Sequence, residues 1–270
     1  MGAPPHRLGP LSALVRAQVL EVLVLTGHLL LYPTGIRPEP TPADTGHRLP
    51  THGRTAPPVL LLHGFIDNRS VFALLRRSLR HHGWRHVRAL NYSPLTHDIR
   101  RAADQLAHHV TETCRLTGHD RVDIVGHSLG GLIARYYVQR LGGHRRVRTV
   151  VTLGTPHAGT RTASLLAAHP IVRQMRPGSD LIRELALPAP DCTTRFTAFW
   201  SELDELMIPA GTARIDHPDL RVRNVPVRGV GHLALPVHPA VVDAVRRALA
   251  DTESGQESTG SRESDGVSVA

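Results

Sequence analysis

From residue 59 onward the chain alternates short apolar runs with stretches of helical spacing. Residues 59–63 read VLLLH, an unbroken apolar run of the kind buried on both faces of a parallel sheet. Residues 70–82 carry Val71, Leu74, Leu75 and Leu79 at helical intervals. Residues 98–116 place Ile99, Ala102, Ala103, Leu106 and Val110 on one face, and Gly118 supplies the stop. Further strands are predicted at 87–91, 122–126, 147–153, 195–200 and 221–227, and further helices at 129–141 and 239–249. Such alternation predicts an α/β fold: a doubly wound, mainly parallel sheet of about six strands with helices on both faces. Ligands in these sheets bind beyond the carboxyl ends of the strands, so the chemistry is expected in the loops after 59–62, 124–125 and 150–153.

The flanks read differently. Residues 11–32 are largely apolar but interrupted by Arg16, Gln18, Glu21 and His28. They predict a helix with three arrangements open: docked on the protein's own core, lying in a membrane surface, or spanning a bilayer. A clear small-residue cleavage site is missing, which favours a cytoplasmic or membrane-associated protein over a secreted one. Residues 33–58 are rich in proline and read as a linker or irregular wrap. Residues 251–270 are rich in Ser, Gly and Glu and read as a disordered tail. The expected division is therefore 1–56, N-terminal helix and linker; 57–250, the α/β domain; and 251–270, tail.

Composition narrows the chemistry. All 32 basic residues are arginine, which excludes a lysine Schiff base and a GxxxxGK phosphate loop. The net charge of +9 raises anionic lipid or nucleic acid as partners. Aromatics at 4% weaken a single-strand stacking role, and no nucleic-acid motif accompanies Arg76, Arg77, Arg80, Arg85 and Arg88. Those arginines read as solvated helix faces, and no nucleic-acid partner is expected. Cys114 and Cys192 lack zinc spacing; they read as two buried thiols or one long-range disulfide.

Gly126-His127-Ser128-Leu129-Gly130 is a GxSxG pattern that directly follows a predicted strand and opens a predicted helix. Such an elbow strains the backbone and lifts the serine hydroxyl into the crevice. An oxyanion formed there needs two preorganised N–H groups. Leu129, next after the serine, is one candidate, and Phe65, where Gly64 lets the chain leave the first strand, is the other. Phe65 and His127 are also expected at the substrate. Among 19 histidines, His232 lies in a tight Gly-Val-Gly-His loop between the last strand and the last helix. It is preferred to His238 as the base. Asp204, followed by the apolar Leu206-Met207-Ile208-Pro209, is preferred to Glu202 and Glu205 as the orienting acid. The chain order is then nucleophile Ser128, acid Asp204, base His232.

With these motifs, and with Gly154-Thr155-Pro156-His157-Ala158-Gly159-Thr160 after the fourth strand, residues 57–250 resemble the α/β-hydrolase family, specifically bacterial triacylglycerol lipases and esterases. The resemblance implies ester hydrolysis, of lipid esters in particular, through an acyl-serine intermediate, with no organic cofactor. No calcium loop matches, so no metal is expected. It also implies a small helical cap at 156–192, where Leu165, Leu166, Ile171, Val172, Met175, Leu181, Ile182 and Leu185 suit either a lid or core-packing helices. The two leading antiparallel strands common in the family are not evident. An acyltransferase or thioesterase would use the same triad, and a non-catalytic scaffold would not need it.

Overall fold

The computed structural model describes residues 10–36, 56–65, 67–92, 97–165 and 168–251; the proline-rich stretch 37–55 and the tail 252–270 lie outside the described residues. Six strands form one sheet: β1 (Val59–Leu62), β2 (Val87–Leu90), β3 (Val122–His127), β4 (Val147–Leu153), β5 (Arg195–Ser201) and β6 (Arg221–Val227). Their order across the sheet is β2-β1-β3-β4-β5-β6. Every pairing is parallel. The chain leaves β1 toward one edge and returns past it to β3, so the winding reverses between β1 and β3, where ligand crevices form in such sheets. Leu62 pairs with Gly126, His127 with Leu153, and Leu153 with Phe199. This register brings the carboxyl ends of four neighbouring strands level.

Alternate strand residues feed opposite faces. Leu60, Leu62, Ile124 and Val150 pack with α3 (Ile99–Thr117) and α4 (Leu129–Arg140) through Ile99, Leu106 and Leu132. Leu61, Val125 and Val151 pack on the other side with α2 (Ala73–His81) and α8 (Pro239–Ala250) through Leu75, Leu79, Val241 and Val245. β6 is one of the two edge strands, and its alternating exposure and Pro226 suit an edge. The helix expected at 70–82 is preceded by a separate tight turn, Arg69–Phe72, because the Asn68 side chain accepts the Ser70 N–H and starts the turn early. Cys114 and Cys192 are both free and buried.

Residues 156–192 hold three short helices, α5 (Thr162–Leu165), α6 (Pro170–Gln174) and α7 (Asp180–Ala186). Ile171, Val172, Leu181 and Leu185 are buried in the same core as α3 and α4. Arg135, buried in α4, donates to the carbonyls of His157 and Leu185, both at 3.1 Å. Burial pulls its guanidinium down to about 10.

The N-terminal helix, α1 (Pro10–Ile36), docks in a way its apolar majority does not suggest. Ala17 and His28 are buried, and Leu20 and Val24 pack partly against the α2/α8 side of the core. With Glu21 they form one stripe at helical spacing. Gln18 donates to Glu205, and Asn68 donates to the Tyr32 carbonyl at 2.8 Å. Asn91 donates to the Gly35 carbonyl at 2.6 Å. The helix thus crosses the carboxyl end of the sheet, from the loop after β5 to the loops after β1 and β2. Its large apolar side chains face outward, Leu23 at 65% exposure and Leu30 at 76%.

Candidate active site

Ser128 sits between β3 and α4 with φ 51° and ψ −119°. Among the described residues no other non-glycine has positive φ. Such a conformation persists only where packing over-determines it. Here the Ser128 N–H donates to the Leu153 carbonyl at 2.9 Å. Close backbone approaches do the rest: a Cβ at Gly126 would lie 2.5 Å from the Gly131 nitrogen, and one at Gly130 would lie 2.2 Å from the Leu62 carbonyl oxygen. The glycines of the motif therefore let α4 press against β1 and β3 directly. Ser128 stands at the N-terminus of α4, where free N–H groups favour developing negative charge.

His232 and Asp204 arrive from the loops after β6 and β5. The His232 Nδ1–H donates to Asp204 Oδ2 at 2.8 Å, and both side chains are buried. The other carboxylate oxygen of Asp204 accepts the N–H groups of Leu206 and Met207, each at 3.1 Å. The two loops are tied by Ser201, whose hydroxyl donates to the Val230 carbonyl at 2.6 Å. Burial alone would lower the His232 pKa, but Asp204 first, then Asp67 and Glu21, outweigh it and raise it above 6.5. Glu202 and Glu205 do not pair with His232; Glu205 instead accepts from Gln18 of α1. His238 is the N-cap of α8.

The β1 loop packs against the serine. A Cβ at Gly64 would come within 3.3 Å of the Ser128 Cβ and within 2.9 Å of Asp67 Oδ2, so Gly64 is the residue that allows the approach. Phe65 follows it, with its ring 5.0 Å from that of His169. Tyr92 stacks on His63 at 4.0 Å and its hydroxyl donates to the His63 carbonyl, holding the loop from the β2 side. His127, expected at the substrate, is buried: its ring lies 4.7 Å from that of His232, and its Nε2–H donates to the His232 carbonyl at 3.2 Å. Its Nδ1 lies 3.5 Å from Asp67 Oδ2. Burial would raise the Asp67 pKa, but His127, His28 and His63 together hold it below the ordinary carboxylate value.

The Gly154–Thr160 segment braces the acid loop. The Thr160 hydroxyl donates to the Leu206 carbonyl at 2.6 Å and accepts the Ile208 N–H at 3.0 Å. His157, buried and hydrogen-bonded to Thr152 at 3.0 Å, is held well below 6.5, chiefly by burial and then by the Arg135 charge. Sequence reasoning missed Asp67 and Glu21 as neighbours of this site. Glu21 left a signal, a lone carboxylate in an apolar helix; Asp67 left none, because acidic loop residues are usually solvated.

A strained serine elbow on a six-stranded parallel sheet, with a histidine–aspartate pair on the last two loops, defines an α/β-hydrolase fold. Residues 57–176 match the alpha/beta hydrolase fold family. It is similar to a triacylglycerol lipase of Pseudarthrobacter phenanthrenivorans, 31% identical over 124 residues, covering 43% of this chain and 38% of that one. A triacylglycerol lipase of Burkholderia plantarii is 31% identical over 124 residues, covering 43% and 34%. The chain thus spans little more than a third of the length of these relatives. Among solved structures, the mature form of a Bacillus licheniformis lipase superposes with a TM-score of 0.63 at 16% identity, covering 76% of this chain and 96% of that one.

Proposed function

We propose that the protein is a serine hydrolase that cleaves carboxylic esters, lipid esters in particular, through an acyl-Ser128 intermediate. One observation carries the reading: the strained Ser128 lies on the same sheet end as a buried His232–Asp204 pair. In the proposed mechanism His232 takes the hydroxyl proton as Oγ attacks the ester carbonyl. The N–H groups of Leu129 and Phe65 hold the oxyanion. Protonated His232, oriented by Asp204, then gives its proton to the leaving alcohol, and water activated by His232 releases the acid. Similarity to triacylglycerol lipases over 124 residues supports the ester class.

The exposed apolar face of α1 supports a second element of the proposal, contact with a lipid surface. Within Val15–Ile36 an 18-residue stretch has a mean hydropathy of 1.6, yet only 11% of that stretch is buried. An apolar face turned outward on a hydrolase of lipid esters would place the crevice beside its substrate.

Hydrolysis of p-nitrophenyl esters of increasing acyl length tests the reading, with wild type and Ser128→Ala side by side. The expected result is turnover that rises with chain length and falls by roughly a thousandfold or more in the variant. Turnover unchanged in a folded Ser128→Ala protein would remove Ser128 from the chemistry.

A further inference from the structure

α1 reaches the catalytic loops through one charged side chain. Both carboxylate oxygens of Glu21 are engaged: Oε2 accepts the N–H of Leu233 and Oε1 accepts that of Ala234, each at 2.9 Å. These are the two residues that follow His232. The preceding residue is shaped around the same side chain, because a Cβ at Gly231 would lie 2.6 Å from Cγ and Cδ of Glu21. Three of the four residues at 231–234 therefore fit a carboxylate that comes from more than two hundred positions away in the chain. Hydrogen bonds to an ionised acceptor are stronger than neutral ones, and two in parallel also fix orientation. Within α1, Glu21 lies on the docked stripe with Ala17, Val24 and His28, opposite the outward apolar face.

We propose that Glu21 is a positioning residue for catalysis: it clamps the loop that carries His232 and makes the docked α1 a working part of the active site. The inference rests on the reading of Ser128, His232 and Asp204 as a triad. Four titratable groups face His232 from the elements packed on it: Asp204 after β5, Asp67 after β1, His127 at the end of β3, and Glu21 on α1. Asp204 holds the imidazole directly. Asp67 and Glu21 act at longer range, by charge. Loss of the Glu21 carboxylate should therefore do two things. The loop loosens, so the base spends less time in register with Ser128. The imidazole also loses one nearby anion, so it binds its proton less tightly.

The test uses the full chain as wild type, Glu21→Gln and Gly231→Ala. The readouts are kcat and KM for a short, soluble p-nitrophenyl ester as a function of pH, and the rate at which an alkyl fluorophosphonate modifies Ser128, followed by intact mass. For Glu21→Gln the expected result is a roughly tenfold fall in kcat and in the modification rate, with KM nearly unchanged. Its acid limb should move down by some tenths of a pH unit. Gly231→Ala approaches the same contact from the loop side; it should act in the same direction and add little to Glu21→Gln in the double variant. Should Glu21→Gln fail to fold, Gly231→Ala carries the test alone. A folded Glu21→Gln protein with wild-type kcat and acid limb overturns the proposal, even if its melting temperature has dropped. Failure of the triad reading looks different: wild-type Ser128 would then go unmodified at every pH, and the Glu21 inference would fall with it.

Discussion

In the proposed cycle His232 must be neutral to accept a proton and comfortable as a cation a moment later. Its surroundings suit both demands. Burial favours the neutral ring, while Asp204, Asp67 and Glu21 favour the charged one and raise its pKa above 6.5. The sign follows directly. Below that raised value the base is protonated and cannot take the Ser128 proton, so activity falls toward acid. We expect the acid limb of kcat/KM to have its midpoint above pH 6.5. Asp204→Asn should lower kcat by several orders of magnitude, because the amide oxygen stays with the Leu206 and Met207 N–H groups, its NH2 donates to Nδ1, and the wrong tautomer faces Ser128. A pH–rate profile of both proteins checks this; an acid limb below 6.5 in wild type would show that another group controls the rate. Ser128, Asp204 and His232 were legible as residues because each lies at a strand end with a local signature. Glu21 showed only as a lone carboxylate in an apolar helix and Asp67 not at all, because their importance arises from contacts that only the folded chain creates.

The elbow works as an element because α4 and β1 touch through backbone. Gly130 is where they meet, with its Cβ position 2.2 Å from the Leu62 oxygen and 2.7 Å from that of His63. Gly130→Ala cannot be absorbed by a rotamer change, since the obstacle is main chain. We expect it to cost about 1–3 kcal/mol of stability, as overpacking typically does. Activity should fall too, because Leu129 shifts with the helix. Chemical denaturation and turnover of the variant check both, and an unchanged midpoint would mean the packing here is looser than described. At this scale the sequence was read well where apolar periodicity governs: the six strands, α3, α4 and α8 lie within a residue or two of their expected positions, whereas α1 continues through Pro33 to Ile36, four residues into the stretch expected to be linker. It was read less well where side chains decide, as at Asn68, whose cap divides the segment 69–81 into a tight turn and a helix. The arrangement of α1 could not be chosen from its pattern. Hydrophobicity describes its apolar majority, whereas its docking is made by a minority stripe that includes Glu21 and His28.

Across the whole molecule, α1 has two faces with different destinations. One meets the loops that carry Asp204 and His232, and the other presents Val15, Val19, Val22, Leu23, Leu29 and Leu30 outward. A chain with net charge +9 would add electrostatic attraction to an anionic bilayer. Replacing Leu23, Leu29 and Leu30 together by serine should therefore reduce binding to anionic vesicles by at least roughly tenfold, while turnover of a short soluble ester changes little. Vesicle sedimentation and a soluble-ester assay separate these effects. Equal binding by the triple variant would contradict an insertion role for this face.

The central claim is that Ser128 becomes acylated. Its most direct test is to quench the protein during turnover of a p-nitrophenyl ester and map the adduct by peptide mass. The account predicts one added acyl group on the peptide containing Ser128, absent from Ser128→Ala. An adduct on another residue, or turnover that persists in Ser128→Ala, would contradict it.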